Sequence, residues 1–153
     1  QYERGAEEGA AGGLAMVRVT VDDMIGQLQH VNRDGEPLLQ DPVVRDQLVQ
    51  AIMEEKALAL GDKRAHVGAL TTDYTHSLPL SHKLRATELT RRRRQLAINL
   101  LVAAGGLYVG DAEARQGGFW QRAYFNSFSA TIGGGTSQVQ ANIVAEHILG
   151  LPK

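Results

Sequence analysis

Thr131-Ile132-Gly133-Gly134-Gly135-Thr136-Ser137-Gln138-Val139-Gln140 is the stretch on which the reading of this chain turns. Three consecutive glycines strip side chains from the backbone and permit positive φ. Thr136 and Ser137 follow as candidate helix N-caps, and Ser137-x-x-Gln140 has the spacing of a capping box. An apolar-periodic segment then runs to Leu149 and meets Gly150-Leu151-Pro152, a helix-stopping sequence. The stretch therefore reads as a glycine turn feeding a helix. Such a junction offers free N–H groups and the positive end of a helix dipole, both suited to an anionic group. It is not a Walker loop, because no Lys follows the glycines. Nor is it a dinucleotide fingerprint, because no strand pattern precedes it.

The segments ahead of this turn are helical by periodicity. Over residues 3–31, Leu14, Val17, Val21, Ile25 and Leu28 recur at three- and four-residue steps. Asn32 to Pro37 reads as a loop. Asp41-Pro42 opens a second helix, with Asp as N-cap and Pro at the first helical position. It is expected to stop near Leu60 at Gly61, or to continue to about Val67. Ser77-Leu78-Pro79 starts a third helix, with Leu84, Leu89, Leu96, Leu100, Leu101 and Ala104 facing inward and Gly105-Gly106 ending it. Phe119 to Ala130 is a short fourth helix, and the segment after the glycines is the fifth. No segment alternates apolar and polar residues convincingly, so no sheet is expected. The predicted fold is all-α: an antiparallel four-helix bundle with an extra short helix.

Composition sets outer limits. The 153 residues suffice for one core, and 43% apolar with 22% charged residues is ordinary for a globular chain. A net charge of −1 selects neither nucleic acid nor a membrane surface. There is no cysteine, which excludes disulfides and thiolate metal sites. No apolar run approaches a membrane span. The five histidines show no ligand spacing, so no metal site is expected. Arg91-Arg92-Arg93-Arg94 points around most of a helix circumference and is expected to be a solvated stretch pairing with acids such as Glu88. Trp120, Tyr124, Phe125 and Phe128 are expected to pack in the core. Glu3, taken alone, is a carboxylate on the opening turn of the first helix.

The run from Arg122 to Lys153, with its Gly135-Thr136-Ser137-Gln138 and its Ile143 to Pro152 tail, resembles the C-terminus of flavin-dependent acyl-CoA dehydrogenases. The resemblance implies that residues 1–153 are the C-terminal helical bundle domain of such a protein. The family's N-terminal helical and β domains would then lie outside this chain, which starts with Gln rather than Met.

In that family a glutamate removes the α-proton of the acyl thioester while flavin N5 takes a hydride from the β-carbon. Some members carry the glutamate immediately before the Gly-Thr-Ser of the late loop, a position held here by Gly134. Others carry it in a Glu-Arg pair at the start of the domain's first helix, which here is Glu3-Arg4. The resemblance thus implies Glu3 as the catalytic base and Arg4 as its neighbour at the acyl site. It implies the Gly134 N–H as a donor to the thioester carbonyl, and Gly135, Thr136 and Gln138 as FAD contacts. Two family motifs for flavin contacts between subunits are missing: Val102 stands where a Gln precedes the Gly-Gly pair, and no Phe-Gly follows the first helix, leaving only Arg33. Implied partners are an acyl-CoA, an electron-transfer flavoprotein or similar acceptor, and further subunits of a tetramer. The implied compartment is the bacterial cytoplasm or the mitochondrial matrix. A noncatalytic partner subunit on the same scaffold is the alternative.

Overall fold

The computed structural model describes residues 19–70 and 77–152, with Leu70 and residues 77–80 described in backbone only. Helix α1 (Val21–Leu28) starts at Thr20, whose backbone is extended at φ −89° and ψ 166°. The Thr20 hydroxyl accepts the Asp23 N–H at 3.1 Å, and the Asp23 carboxylate accepts the Thr20 N–H at 2.8 Å. Of the helix expected over 3–31, the described part starts at this capping box and ends at Leu28, and residues 3–18 lie outside the described residues. The Thr20-x-x-Asp23 spacing was the overlooked signal.

A two-residue ladder follows, with β1 (Asn32–Arg33) antiparallel to β2 (Glu36–Pro37). Asp34 and Gly35, between them, both have positive φ, +54° and +87°. Asp-Gly is the favoured pair for a two-residue hairpin, so this minimal sheet corrects the expectation of a plain loop.

Helix α2 (Pro42–Ala65) is capped by Asp41, whose Oδ1 accepts the Val43 N–H at 2.8 Å. It runs through Gly61, the longer of the two expected endings. Helix α3 (Ser77–Leu100) gives way to a 3₁₀ segment, Val102–Gly106. A Cβ on Gly105 would lie 2.4 Å from the Ile98 carbonyl oxygen, so only glycine lets this segment fold against the helix end. Helix α4 (Phe119–Ile132) follows a polar loop, and α5 (Ser137–His147) follows the glycine turn.

Helix α3 is the central element, packed against α2, α4 and α5. The core joins Val21, Met24 and Leu28 of α1 to Val44, Leu48 and Ala51 of α2, Ala97 and Leu100 of α3, and Trp120 of α4. Burial of these side chains, at roughly 25 cal/mol per Å² of apolar area, is what orients α3 and α4 towards the late turn.

The arginine run departs in part from its expected role. Arg91 pairs with Glu88 at 3.1 Å, as anticipated. Arg92 meets Glu54 at 3.4 Å and Arg93 meets Glu55 at 3.0 Å, both on α2. Arg94 is buried and donates to the Ala123 carbonyl of α4 at 2.8 Å. The four arginines point around the helix, and each direction meets a different neighbour. Arg93 and Arg94 thus brace the bundle from inside, while Arg91 and Arg92 stay partly exposed and pair with acids.

Candidate functional site at the glycine turn

The turn is built between α4 and α5. Gly133 closes α4 by donating its N–H to the Ser129 carbonyl at 2.8 Å. Gly134 and Gly135 then take φ of +67° and +96°, the left-handed region that side chains disfavour. Thr136, not Ser137, is the N-cap: its hydroxyl accepts the Val139 N–H at 3.3 Å. Gln140 does not complete a capping box; its Nε2 donates to the Gly134 carbonyl at 2.8 Å, clamping the turn.

Helix α3 ties the turn down from the side. The Lys83 ammonium donates to the Gly135 carbonyl oxygen. Ser137 Oγ donates to Glu88 Oε1, and Glu88 also takes Arg91. The Ser137 hydroxyl, then Arg91, hold the Glu88 carboxyl below its ordinary value of 4.5, against the opposing effect of burial. Sequence reading found Thr136 and Gly135 but missed Lys83, which lies far from the turn in the chain and carries no local pattern.

Among the described residues, no backbone acceptor takes the Gly134 or Gly135 N–H. Gly134 and Gln138 are exposed, while Gly135 and Thr136 are half-buried. The turn therefore presents hydrogen-bond donors beside a helix N-terminus and a lysine. Among the described residues it holds no carboxylate free to act as a base, because position 134 has no side chain and Glu88 is engaged. This arrangement suits a carbonyl oxygen that gains negative charge. Glu3 and Arg4 lie outside the described residues.

Of the residues implied as flavin contacts, Gly135 and Thr136 are half-buried and Gln138 is exposed. A Cβ on Gly135 would come within 2.8 Å of Gln140 Nε2, so the seating of Gln140 against the turn depends on glycine. The Thr136 hydroxyl accepts in its capping bond and keeps its proton for another partner. The two inter-subunit positions are less favourable. Val102 has φ +54°, strained for a β-branched residue, and no amide to offer. Arg33 is paired with Asp41 at 3.3 Å.

The aromatic cluster is only partly core. Trp120 is buried, but Phe125 and Phe128 are 58% and 38% exposed. Phe125 stacks edge-on to Tyr108, with ring centroids 5.9 Å apart, and Tyr124 meets Phe128 at 5.2 Å. Ile132, at the edge of the turn, is also exposed. The outer face of α4 thus presents an apolar strip leading to the glycines. His82 Nδ1 lies 2.5 Å from Asp62 Oδ1 in a cleft of about 440 Å³ between α2 and α3. Among the described residues there is no group of three or more potential metal ligands. None of the described helices is long and apolar enough to cross a membrane.

Comparison with known proteins agrees with this geometry. Residues 3–149 match the family model described as acyl-CoA dehydrogenase, C-terminal domain. Acyl-CoA dehydrogenase IpdE1 of Mycolicibacterium smegmatis is 31% identical over 113 residues, covering 74% of this chain and 26% of that protein. IpdE1 of Mycobacterium tuberculosis is 36% identical over 63 residues, covering 41% of this chain and 15% of that protein. The chain thus spans about a quarter of the first relative's length. Among solved structures, the ChsE4-ChsE5 complex from Mycobacterium tuberculosis superposes with a TM-score of 0.72 at 22% identity, covering 94% of this chain and 36% of that one. A structure titled Tcur3481-Tcur3483 steroid ACAD gives 0.67 at 22% identity, covering 94% and 37%. With the helical bundle, the glycine turn and the family match in agreement, this chain belongs to the acyl-CoA dehydrogenase family, whose C-terminal helical domain it represents.

Proposed function

We propose that the protein carrying this chain is an FAD-dependent acyl-CoA dehydrogenase in which Glu3 is the α-proton base. The observation behind this reading is the glycine turn itself, which offers N–H donors and no carboxylate. A base must then come from another backbone, and Glu3-Arg4 is the pair with the right family precedent. Bound FAD would supply the hydride acceptor. Gly135, Thr136 and Gln138 would line the flavin, with Gly135 allowing close contact. The Gly134 N–H would donate to the thioester carbonyl as the α-proton leaves, stabilising the developing negative charge. Glu3 would take that proton, and Arg4 would neighbour it at the acyl site. Confinement in an apolar site would raise the Glu3 carboxyl and make it a stronger base. The remaining walls of such a site would come from elsewhere in the protein, and the positioning a complete site provides is worth several kcal/mol, about 7–11 at its largest.

The substrate we propose is an acyl-CoA with a bulky, ring-bearing acyl group. The steroid ACAD title of a structural neighbour supports this, as does the exposed apolar strip of Phe125, Phe128 and Ile132 beside the turn. Electrons would pass to an electron-transfer flavoprotein or similar acceptor in the bacterial cytoplasm. Assembly would be oligomeric, as a tetramer of like or unlike subunits.

The test is Glu3→Gln in the protein carrying this chain. Flavin should stay bound while its reduction by acyl-CoA slows by about 10²–10⁴-fold, the usual contribution of a positioned base. Reduction at the parent rate would mean that another base is in use.

A second reading has its own support. Val102 stands where the family carries Gln, and Arg33 is engaged by Asp41. The neighbour titled as the ChsE4-ChsE5 complex fits a noncatalytic partner that supports an active subunit. Under that reading the purified protein is colourless alone, and yellow flavin is retained only when a second subunit is co-expressed.

A further inference from the structure

We propose that Lys83 is a positioning residue for the acyl site, holding the glycine turn so that the Gly134 N–H is presented to the substrate carbonyl. This rests on the dehydrogenase reading above. Gly133 and Gly134 are exposed, and three glycines in succession leave the backbone few side-chain contacts of its own. What fixes it is a set of polar tethers. Gln140 holds the Gly134 carbonyl from α5, and Lys83 holds the Gly135 carbonyl from α3. Ser137 and Glu88 pin the first residue of α5 to the same α3.

The Lys83 tether differs from the others in where its stem runs. A Cβ built on Gly134 would have Lys83 Cε as its nearest neighbour, at 4.0 Å. The lysine therefore lies along the side-chain-free side of residue 134 and grips the carbonyl one residue further on. The Gly134 carbonyl shares its peptide plane with the Gly135 N–H, and the Gly135 carbonyl with the Thr136 N–H. Gln140 and Lys83 therefore fix the two planes that follow the Gly134 N–H and thereby hold the backbone that presents it, while the Gly134 and Gly135 N–H groups have no acceptor among the described residues. Loss of the lysine frees one plane while α5 keeps its cap at Thr136.

The experiment uses the full protein with its flavin, comparing Lys83→Met, Lys83→Arg and Glu3→Gln. Stopped-flow flavin reduction by acyl-CoA gives rate and affinity separately, and hydrogen exchange by mass spectrometry follows the peptide over 131–140. For Lys83→Met the maximal reduction rate falls at least tenfold, flavin content and Tm stay near the parent, and exchange over 131–140 rises severalfold. Lys83→Arg restores the rate and the protection to within about threefold. The proposal is overturned if Lys83→Met reduces flavin at the parent rate with unchanged exchange. It is equally overturned if the loss tracks a general fall in Tm across both Lys83 variants. Failure of the underlying dehydrogenase reading looks different: the parent flavin is then not reduced by any acyl-CoA, while the exchange arm still reports on the tether.

Discussion

At Gly135 a single hydrogen atom separates a workable turn from a strained one. Its φ is +96°, and a Cβ there would come within 2.8 Å of Gln140 Nε2. The amide group ends a flexible side chain and can swing away, but only by giving up its bond to the Gly134 carbonyl. Gly135→Ala should therefore cost about 1.5–3.5 kcal/mol, the penalty of a left-handed L-residue plus that lost bond. Gly133→Ala is the control: φ is −62°, and its Cβ would meet only the Ser129 carbonyl oxygen at 3.2 Å. Urea unfolding should give the Gly133 variant the smaller loss, and equal losses would refute the argument. The requirement for glycine was legible in the sequence, because consecutive glycines ahead of a capping residue have few other uses. The lysine that holds the turn was not, because a tether across the bundle leaves no trace in local spacing.

The elements of the bundle differ in how they are joined, and adjacent residues on α2 show it. Glu54 meets Arg92 where both side chains are about half exposed, at 46% and 58%. Glu55 meets Arg93 with 21% and 16% exposure, and its carboxylate also accepts the Val21 N–H at 2.9 Å, joining α1, α2 and α3 at one point. Removing one partner of a buried pair strands the other charge, so Glu55→Ala should cost about 2–3 kcal/mol, reduced from the fully buried figure for partial solvation. Glu54→Ala should cost less than about 0.5 kcal/mol, as exposed pairs do. Chemical denaturation of the two variants decides, and similar midpoints would refute the distinction. Helix positions and the Asp41-Pro42 start were readable because caps and periodicity are local. The helix start at Thr20 was hidden by an apolar stripe in the sequence that continues in phase across it. The inward role of Arg93 and Arg94 was hidden because charge predicts solvent until the partners on other helices are known.

Over the whole molecule, stability should depend on acidity through two carboxyls held below their ordinary values. The Thr20 hydroxyl and N–H lower Asp23 from 3.8. The Ser137 hydroxyl, followed by Arg91, lowers Glu88 from 4.5, against burial. A carboxyl whose folded pKa is depressed binds fewer protons in the native state than in the unfolded one. Its contribution is complete above the unfolded value and is lost as pH falls through the folded one. Unfolding midpoints should therefore be nearly flat from about pH 7 to about pH 5.5 and decline below roughly pH 4.5. Acid also protonates the other carboxyls and raises the net positive charge, so the decline alone does not identify its source. Glu88→Gln does. It removes one titrating group, so the difference in stability from the parent should be largest near neutrality and shrink as the acid limb is descended. A difference that stays constant between about pH 7 and pH 3.5 would mean that the Glu88 charge does not help hold α5 against α3.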